Sequence, residues 1–343
     1  MNLALKAALV AVPVAGAAWE RQRRVDRRAI DADPLKAVLD TPLESRVQEV
    51  VEVVAADGTK LHAEVFGPAD APTVVLVHGW TCTLETWTHQ IQALDGELRL
   101  VAFDLRGHGR SARPPEGDWS IEALASDLDA VLRTCVPEGD RAVVAGHSLG
   151  AMTAVAWADL HPAEVRERLA GAALISTGLG DLITESLLIG TPGPLQLVKG
   201  TVGQAFLAAR APLPRISTPL SNRIIRYIAC SPNASPATVA YCEKMVLGCR
   251  REARGGCGHT VSRMDLREAL KDLAVPTTVI VGEQDRLTPP VHARLMADAL
   301  PDVIDYVELP GIGHMTPLEA PGEVTASIRA LTARAVEHAP AAA

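Results

Sequence analysis

Residues 141–152 read Arg141-Ala142-Val143-Val144-Ala145-Gly146-His147-Ser148-Leu149-Gly150-Ala151-Met152. From Ala142 to Ala145 the chain is continuously apolar, as a strand buried on both faces requires, and from Leu149 to Leu160 apolar residues recur at helical spacing. Between them stands a G-x-S-x-G pentapeptide. In a strand-turn-helix setting this motif forces the serine into a strained backbone and holds its hydroxyl out at the carboxyl end of the sheet. Small residues at 146 and 150 let strand and helix approach closely through the turn. The pentapeptide alone recurs by chance; in this setting Ser148 reads as a nucleophile rather than an ordinary turn serine.

The same alternation extends outward. Thr73–Val77, Arg99–Phe103, Arg141–Ala145, Ala172–Ser176, Thr277–Val281 and Val303–Leu309 are short apolar runs. Leu84–Leu94, Ile121–Thr134, Leu149–Leu160, Pro290–Leu300 and Glu319–Val336 carry helix-like spacing, and Ser120 is placed to start the second of these. Val47–Ala55 and Leu61–Phe66 flank the turn dipeptide Asp57-Gly58, which predicts an antiparallel hairpin at the sheet edge. The whole implies an α/β fold with a doubly wound, mostly parallel central sheet. From Thr177 to Ala274 no buried strand is evident, and seven prolines from Pro192 to Pro236 punctuate helix-compatible stretches. A structureless loop of that length inside a compact domain would be unusual, so an inserted helical cap is expected over 177–274, with the core in 45–176 and 275–337. Residues 338–343 are expected to be a disordered tail, and no internal repeat is visible.

Residues 1–19 form a hydrophobic N-terminal segment broken by Lys6 and Pro13, and 20–44 a polar connector with helical tendency, opening with Arg21, Arg23, Arg24, Arg27 and Arg28. The apolar run falls short of the ~20 residues of a full membrane span, and its positive charges mostly follow it, which would keep the body in the cytoplasm. A short membrane anchor or surface-lying segment with a cytoplasmic body is the preferred expectation. A cleaved secretory signal and a solvent-exposed leader stay open. The net charge of −8, from 33 basic and 41 acidic residues, and an aromatic content of 3% argue against nucleic acid as a partner. The six cysteines, Cys82, Cys135, Cys230, Cys242, Cys249 and Cys257, show no zinc-ligand spacing, so no metal site is expected; free, mostly buried thiols are favoured over a local disulfide among the last four.

A serine hydroxyl needs a base within hydrogen-bond reach. His314, in Leu309-Pro310-Gly311-Ile312-Gly313-His314-Met315, lies in a loop after the last strand and is the candidate general base. An imidazole needs a carboxylate to fix its tautomer and stabilise its charge. Asp285, just past Thr277–Val281, is placed for that role, with Glu283 as its rival.

These residues resemble the α/β-hydrolase superfamily, of the serine-nucleophile, esterase- and lipase-like type, over roughly residues 47 to 337. His78-Gly79-Trp80 resembles the family's oxyanion loop, and Phe103-Asp104-Leu105-Arg106-Gly107-His108-Gly109-Arg110-Ser111 its turn after the next strand. The resemblance implies an oxyanion hole formed by the backbone N–H groups of Trp80 and Leu149, with no cofactor. His78, His108 and His147 read as structural, Asp104 with Arg106 as an ion pair holding the turn, and Trp80, Trp87 and Trp119 as core or pocket wall. The implied activity is hydrolysis of a carboxylic ester or thioester through an acyl-serine. Relatives that cleave epoxides use an aspartate where Ser148 stands. Carbon-carbon hydrolysis, perhydrolase or haloperoxidase-like chemistry, and a weakly catalytic ligand receptor remain alternatives. Apolar cap residues, Leu187, Leu188, Ile189, Leu195, Leu197, Val198, Phe206 and Leu207, suggest a small-molecule ester with an apolar acyl group, although cap helices need apolar residues merely to pack.

Overall fold

The computed structural model describes residues 3–188, 196–214 and 216–337. In chain order the elements are α1 (Leu3–Asp31), α2 (Pro34–Leu39), β1 (Val47–Val54), β2 (Lys60–Phe66), β3 (Thr73–Val77), α3 (Thr88–Leu94), β4 (Arg99–Phe103), α4 (Ile121–Cys135), β5 (Ala142–His147), α5 (Leu149–Leu160), α6 (Val165–Arg168) and β6 (Leu169–Ile175). There follow α7 (Leu182–Glu185), α8 (Gln196–Leu207), α9 (Pro219–Ala229), α10 (Pro236–Gly248), α11 (Arg251–Val261), β7 (Thr277–Gly282), α12 (Pro290–Ala299), β8 (Val303–Leu309), α13 (Thr316–Glu319) and α14 (Pro321–Glu337).

The strands form one eight-stranded sheet in the order β1-β2-β4-β3-β5-β6-β7-β8. β1 and β2 pair antiparallel at one edge, as the Asp57-Gly58 turn predicts, β2 also meets β4 antiparallel, and the strands from β4 to β8 are mutually parallel. The continuous apolar runs follow from this position. On one face Val75, Val77 and Val144 pack into a cluster with α4 and α5; on the other, Val74, Leu76, Val143 and Ala145 pack with α3 and α14. Both faces are covered, so neither set of alternating side chains is left polar.

Several boundaries differ from those expected. Leu84–Leu94 is a short 3-10 turn over Leu84–Trp87 followed by α3. Pro321 supplies no N–H and starts α14, so the run predicted from Glu319 divides into α13 and α14. β6 begins at Leu169, three residues early, because Leu169 already pairs with Ala142. Ser120 does cap α4, accepting from the Ala123 N–H at 3.2 Å.

Between β6 and β7 the described residues are helical or irregular, with no strand. Of the apolar residues noted there, Ile189 and Leu195 lie outside the described residues, as does the tail 338–343. At the N-terminus α1 runs without interruption across position 19, and no helix among the described residues is long and apolar enough to cross a membrane. All six cysteines are free; Cys249 is half-buried and the others buried.

Candidate active site

The turn after β5 is built by close approach. A Cβ on Gly150 would lie 2.1 Å from the Val77 carbonyl oxygen, and one on Gly146 would lie 2.5 Å from the Ala151 backbone. Neither is tolerable, so the sequence spends glycine at both positions to bring α5 against β3. Ser148 between them has φ 52° and ψ −117°, a conformation that side-chain-bearing residues rarely adopt and that is worth about 1–3 kcal/mol of strain. Its N–H donates to the Ile175 carbonyl at 2.9 Å, and its carbonyl accepts from the Thr177 hydroxyl at 3.0 Å, so the end of β6 holds the strained turn. The Ser148 side chain stays half-exposed while its neighbours are buried.

Asp285 is fully buried just beyond β7. Its Oδ1 accepts the N–H groups of Leu287 at 2.9 Å and Thr288 at 2.8 Å, and its Oδ2 accepts the Thr288 hydroxyl at 2.8 Å. The remaining approach to Oδ2 is taken by His314 Nδ1 at 2.8 Å. The histidine therefore carries its proton on Nδ1 and leaves Nε2 free to accept, the tautomer a general base needs. Glu283 makes no such contact: its carboxylate accepts the Gly311 N–H at 2.9 Å, bracing the exposed turn before His314. Among the described residues no hydrogen bond joins Ser148 Oγ to His314, a bond that in unliganded enzymes is often loose and tightens with substrate.

His147 reaches across to this loop. Its Nε2 donates to the His314 carbonyl at 2.9 Å, and the two rings lie 5.0 Å apart. Burial, with the neighbouring His314 adding to it, pushes the His147 pKa down to about 3, so it stays neutral beside the site. A Cβ on Gly79 would sit 2.9 Å from His147 Nδ1 and 3.1 Å from Ser148 Cβ, which brings the 79–80 backbone directly beside the serine. Leu149, the first residue of α5, has an N–H that the helix itself cannot use. The Trp80 indole donates to the Arg254 carbonyl of α11 at 2.9 Å, fixing this loop to the helices above.

His78 and His108 lock that loop to the next one. His78 Nδ1 donates to the Gly79 carbonyl at 2.7 Å and its Nε2 accepts the Leu105 N–H at 3.0 Å; His108 donates to the Arg106 carbonyl at 3.0 Å and accepts the Thr81 N–H at 3.3 Å. Both are neutral because burial lowers their pKa values, to about 4 and about 3. The expected Asp104–Arg106 ion pair does not form. Arg106 instead makes a bidentate pair with Asp127 of α4, at 2.6 and 2.7 Å, and reaches Asp57; Asp104 accepts the N–H groups of Leu84 and Arg110. Tertiary packing supplied both with other partners. Trp87 and Trp119 are buried in the core, whereas Trp80 is half-buried.

Two supporting residues escaped the sequence reading. Thr288 binds Asp285 through both N–H and hydroxyl, a local Asx-type pattern that Asp-x-x-Thr permits. Glu319, in α13, accepts the N–H groups of both residues flanking His314, Gly313 at 3.3 Å and Met315 at 3.2 Å, and that of Ser231 at 2.8 Å. Burial raises its pKa despite those three donors. Nothing in its sequence neighbourhood distinguishes it from a helix-surface glutamate.

A model of the alpha/beta hydrolase family matches residues 74–328. The chain belongs to the alpha/beta hydrolase family. The eight-stranded sheet is that family's fold, and a thermophilic esterase from Thermogutta terrifontis superimposes with a TM-score of 0.67 at 26% identity, over 84% of this chain and 99% of that one. The bifunctional esterase/perhydrolase of Acinetobacter calcoaceticus is 27% identical over 77% of this chain and 93% of its own length. Epoxide hydrolase B of Mycobacterium tuberculosis is 38% identical over 134 residues, 38% of this chain and 36% of that protein. This alpha/beta hydrolase thus has relatives of more than one chemistry, and its own residues must discriminate among them.

Proposed function

We propose that the chain hydrolyses carboxylic esters or thioesters through an acyl-serine intermediate. The observation that carries the reading is the buried Asp285–His314 pair, with Nε2 left free, on the same sheet edge as a strained serine. Ser148 Oγ attacks the ester carbonyl carbon while its proton passes to His314 Nε2, and the imidazolium that forms is stabilised by Asp285. Charge developing on the carbonyl oxygen is met by the Trp80 and Leu149 N–H groups, donors whose individual loss slows turnover by about 10² to 10³. The alcohol or thiol leaves with the proton from Nε2; water, deprotonated in turn by His314, then releases the acid and restores the serine. Small apolar esters are the proposed substrates.

Epoxide opening through an alkyl-enzyme ester needs a carboxylate nucleophile, and position 148 is a serine. Perhydrolysis would share the acyl-serine and differ only in the attacking peroxide; the Acinetobacter relative is named for both activities. The decisive measurement is fluorophosphonate labelling together with turnover of a p-nitrophenyl ester series, comparing wild type with Ser148→Ala. Both signals should vanish in the variant. A well-folded wild type that neither labels nor turns over would favour a ligand receptor instead.

A further inference from the structure

The charge of the chain is unevenly placed. From Ser186 to Cys242 it carries five basic residues, Lys199, Arg210, Arg215, Arg223 and Arg226, and no acidic one, although the net charge of the whole is −8. Within this segment α9 is strongly two-sided. Ile225 faces inward with Cys230, Tyr241 and Met245, whereas Leu220, Ile224 and Tyr227, spaced i, i+4 and i+7 on one outer face, are 57%, 46% and 51% exposed. Arg223 lies exposed beside that stripe, and Ile216 just before the helix is exposed too. Single exposed apolar residues need no explanation, but a helical stripe of them does.

The N-terminal arm packs on the same helix. α1 packs on α9 and α10, and Asp33, capping α2, accepts the Ala237 N–H of α10 at 2.9 Å. The arm carries exposed Trp19 and Val25 and, from residue 20 to 28, five arginines against two acidic residues, Glu20 and Asp26; residues 1–19 ahead of these hold one basic and no acidic residue. Aromatic residues with apolar bodies and polar tips, together with arginines beside apolar stripes, are what a helix lying in a lipid headgroup layer presents.

We propose that the outer face of α9, with the adjoining α1 arm, is a docking surface for an anionic lipid bilayer. The contact is one along the membrane surface. α9 is also braced on the candidate site: Arg286, next to Asp285, lies over the Tyr227 ring at 4.8 Å and donates to its carbonyl at 2.9 Å, and the Met315 N–H donates to the Ala229 carbonyl at 3.1 Å. Docking would therefore set the candidate site one helix away from the lipid.

The test is flotation of the full chain with vesicles of phosphatidylcholine alone and of phosphatidylcholine and phosphatidylglycerol at roughly two to one. It is scored without reference to catalysis, so its outcome is independent of the ester-hydrolase reading. Wild type should float with the anionic vesicles, be released by salt, and partition poorly onto phosphatidylcholine. Arg223→Gln should lower the partition coefficient about fivefold, and the double variant Leu220→Glu, Ile224→Glu should abolish flotation while melting like wild type. Should the double variant fail to fold, Arg223→Gln decides alone. A wild type that stays with the soluble fraction, binding that ignores lipid charge, or α9 variants that float as well as wild type would each overturn the proposal. So would a wild-type dimer in solution that the α9 variants dissociate, which would give this face to a second copy of the chain.

Discussion

Replacing Asp285 by asparagine tests the core of the site, because its consequence depends on one atom. The carboxylate is fully buried and offers Oδ1 to two backbone N–H groups and Oδ2 to the Thr288 hydroxyl and His314 Nδ1. Asparagine keeps one oxygen. The two backbone donors cannot turn round, so that oxygen must stay with them, and the new NH₂ faces Thr288 and His314. The threonine hydroxyl can rotate to accept. His314 can accept only by moving its proton to Nε2, where it can no longer take one from Ser148. The expected loss in kcat/KM is about 10³ to 10⁴, or about 4–5.5 kcal/mol of transition-state stabilisation. Glu283→Ala serves as the contrast: it removes only an exposed acceptor from the Gly311 N–H and should change kcat/KM by less than about threefold. The assay is p-nitrophenyl ester turnover together with the rate of fluorophosphonate labelling, on variants whose melting has been checked. Asp285→Asn retaining more than about a tenth of wild-type activity, or Glu283→Ala matching its loss, would refute the assignment.

Three further outcomes follow from the geometry. Gly150→Ala drives a methyl group into the Val77 carbonyl and should destabilise the fold by about 1–3 kcal/mol in urea titration, with loss of activity because the turn carrying Ser148 must shift. Glu319→Gln leaves one oxygen for three backbone donors; losing at least one charge-assisted bond should cost about 1.5–3 kcal/mol of stability and depress kcat more than it changes KM, since it loosens both neighbours of His314. Acid should weaken the fold before the exposed carboxylates titrate; buried Asp127, its pKa raised by burial to about 6, acts in the opposite direction but is one group against three histidines. His78, His108 and His147 have pKa values lowered by burial to about 4, 3 and 3 and regain ordinary values on unfolding. Below pH ~6.5 the unfolded chain therefore binds protons that the folded one refuses, and each histidine removes up to about 1.4 kcal/mol per pH unit until its folded pKa is reached. Urea midpoints flat between pH 6.5 and 4 would show that these rings are not buried neutral.

Local chemistry explains what could be read in advance. Short apolar runs alternating with helix-like stretches fit strands covered on both faces, and Asp57-Gly58 fits a hairpin, so the sheet, its antiparallel edge and the site of the elbow were legible from residues 47–66, 73–77 and 141–150. The chain order of Ser148, Asp285 and His314, each just past a strand, already implied one edge of a parallel sheet, because parallel strands deliver all their carboxyl ends to the same side. Boundaries set by pairing, such as the early start of β6 at Leu169, were not legible.

What the sequence determined by itself is therefore the set of candidate groups, Ser148, His314 and the carboxylates Asp285 and Glu283, and the sheet that carries them, since both depend on residue type and short-range pattern. Tertiary structure alone decided which carboxylate holds His314, where Arg106 finds its partner, and that Glu319 clasps the loop around the histidine from α13. Asp285 and Glu283 are two residues apart and chemically alike; only the approach of the loop after β8 brings one of them to 2.8 Å from an imidazole and turns the other toward a glycine N–H. Hydrogen bonds are directional over a few tenths of an ångström, and no periodicity in a sequence encodes a direction between segments that meet only when the chain has folded.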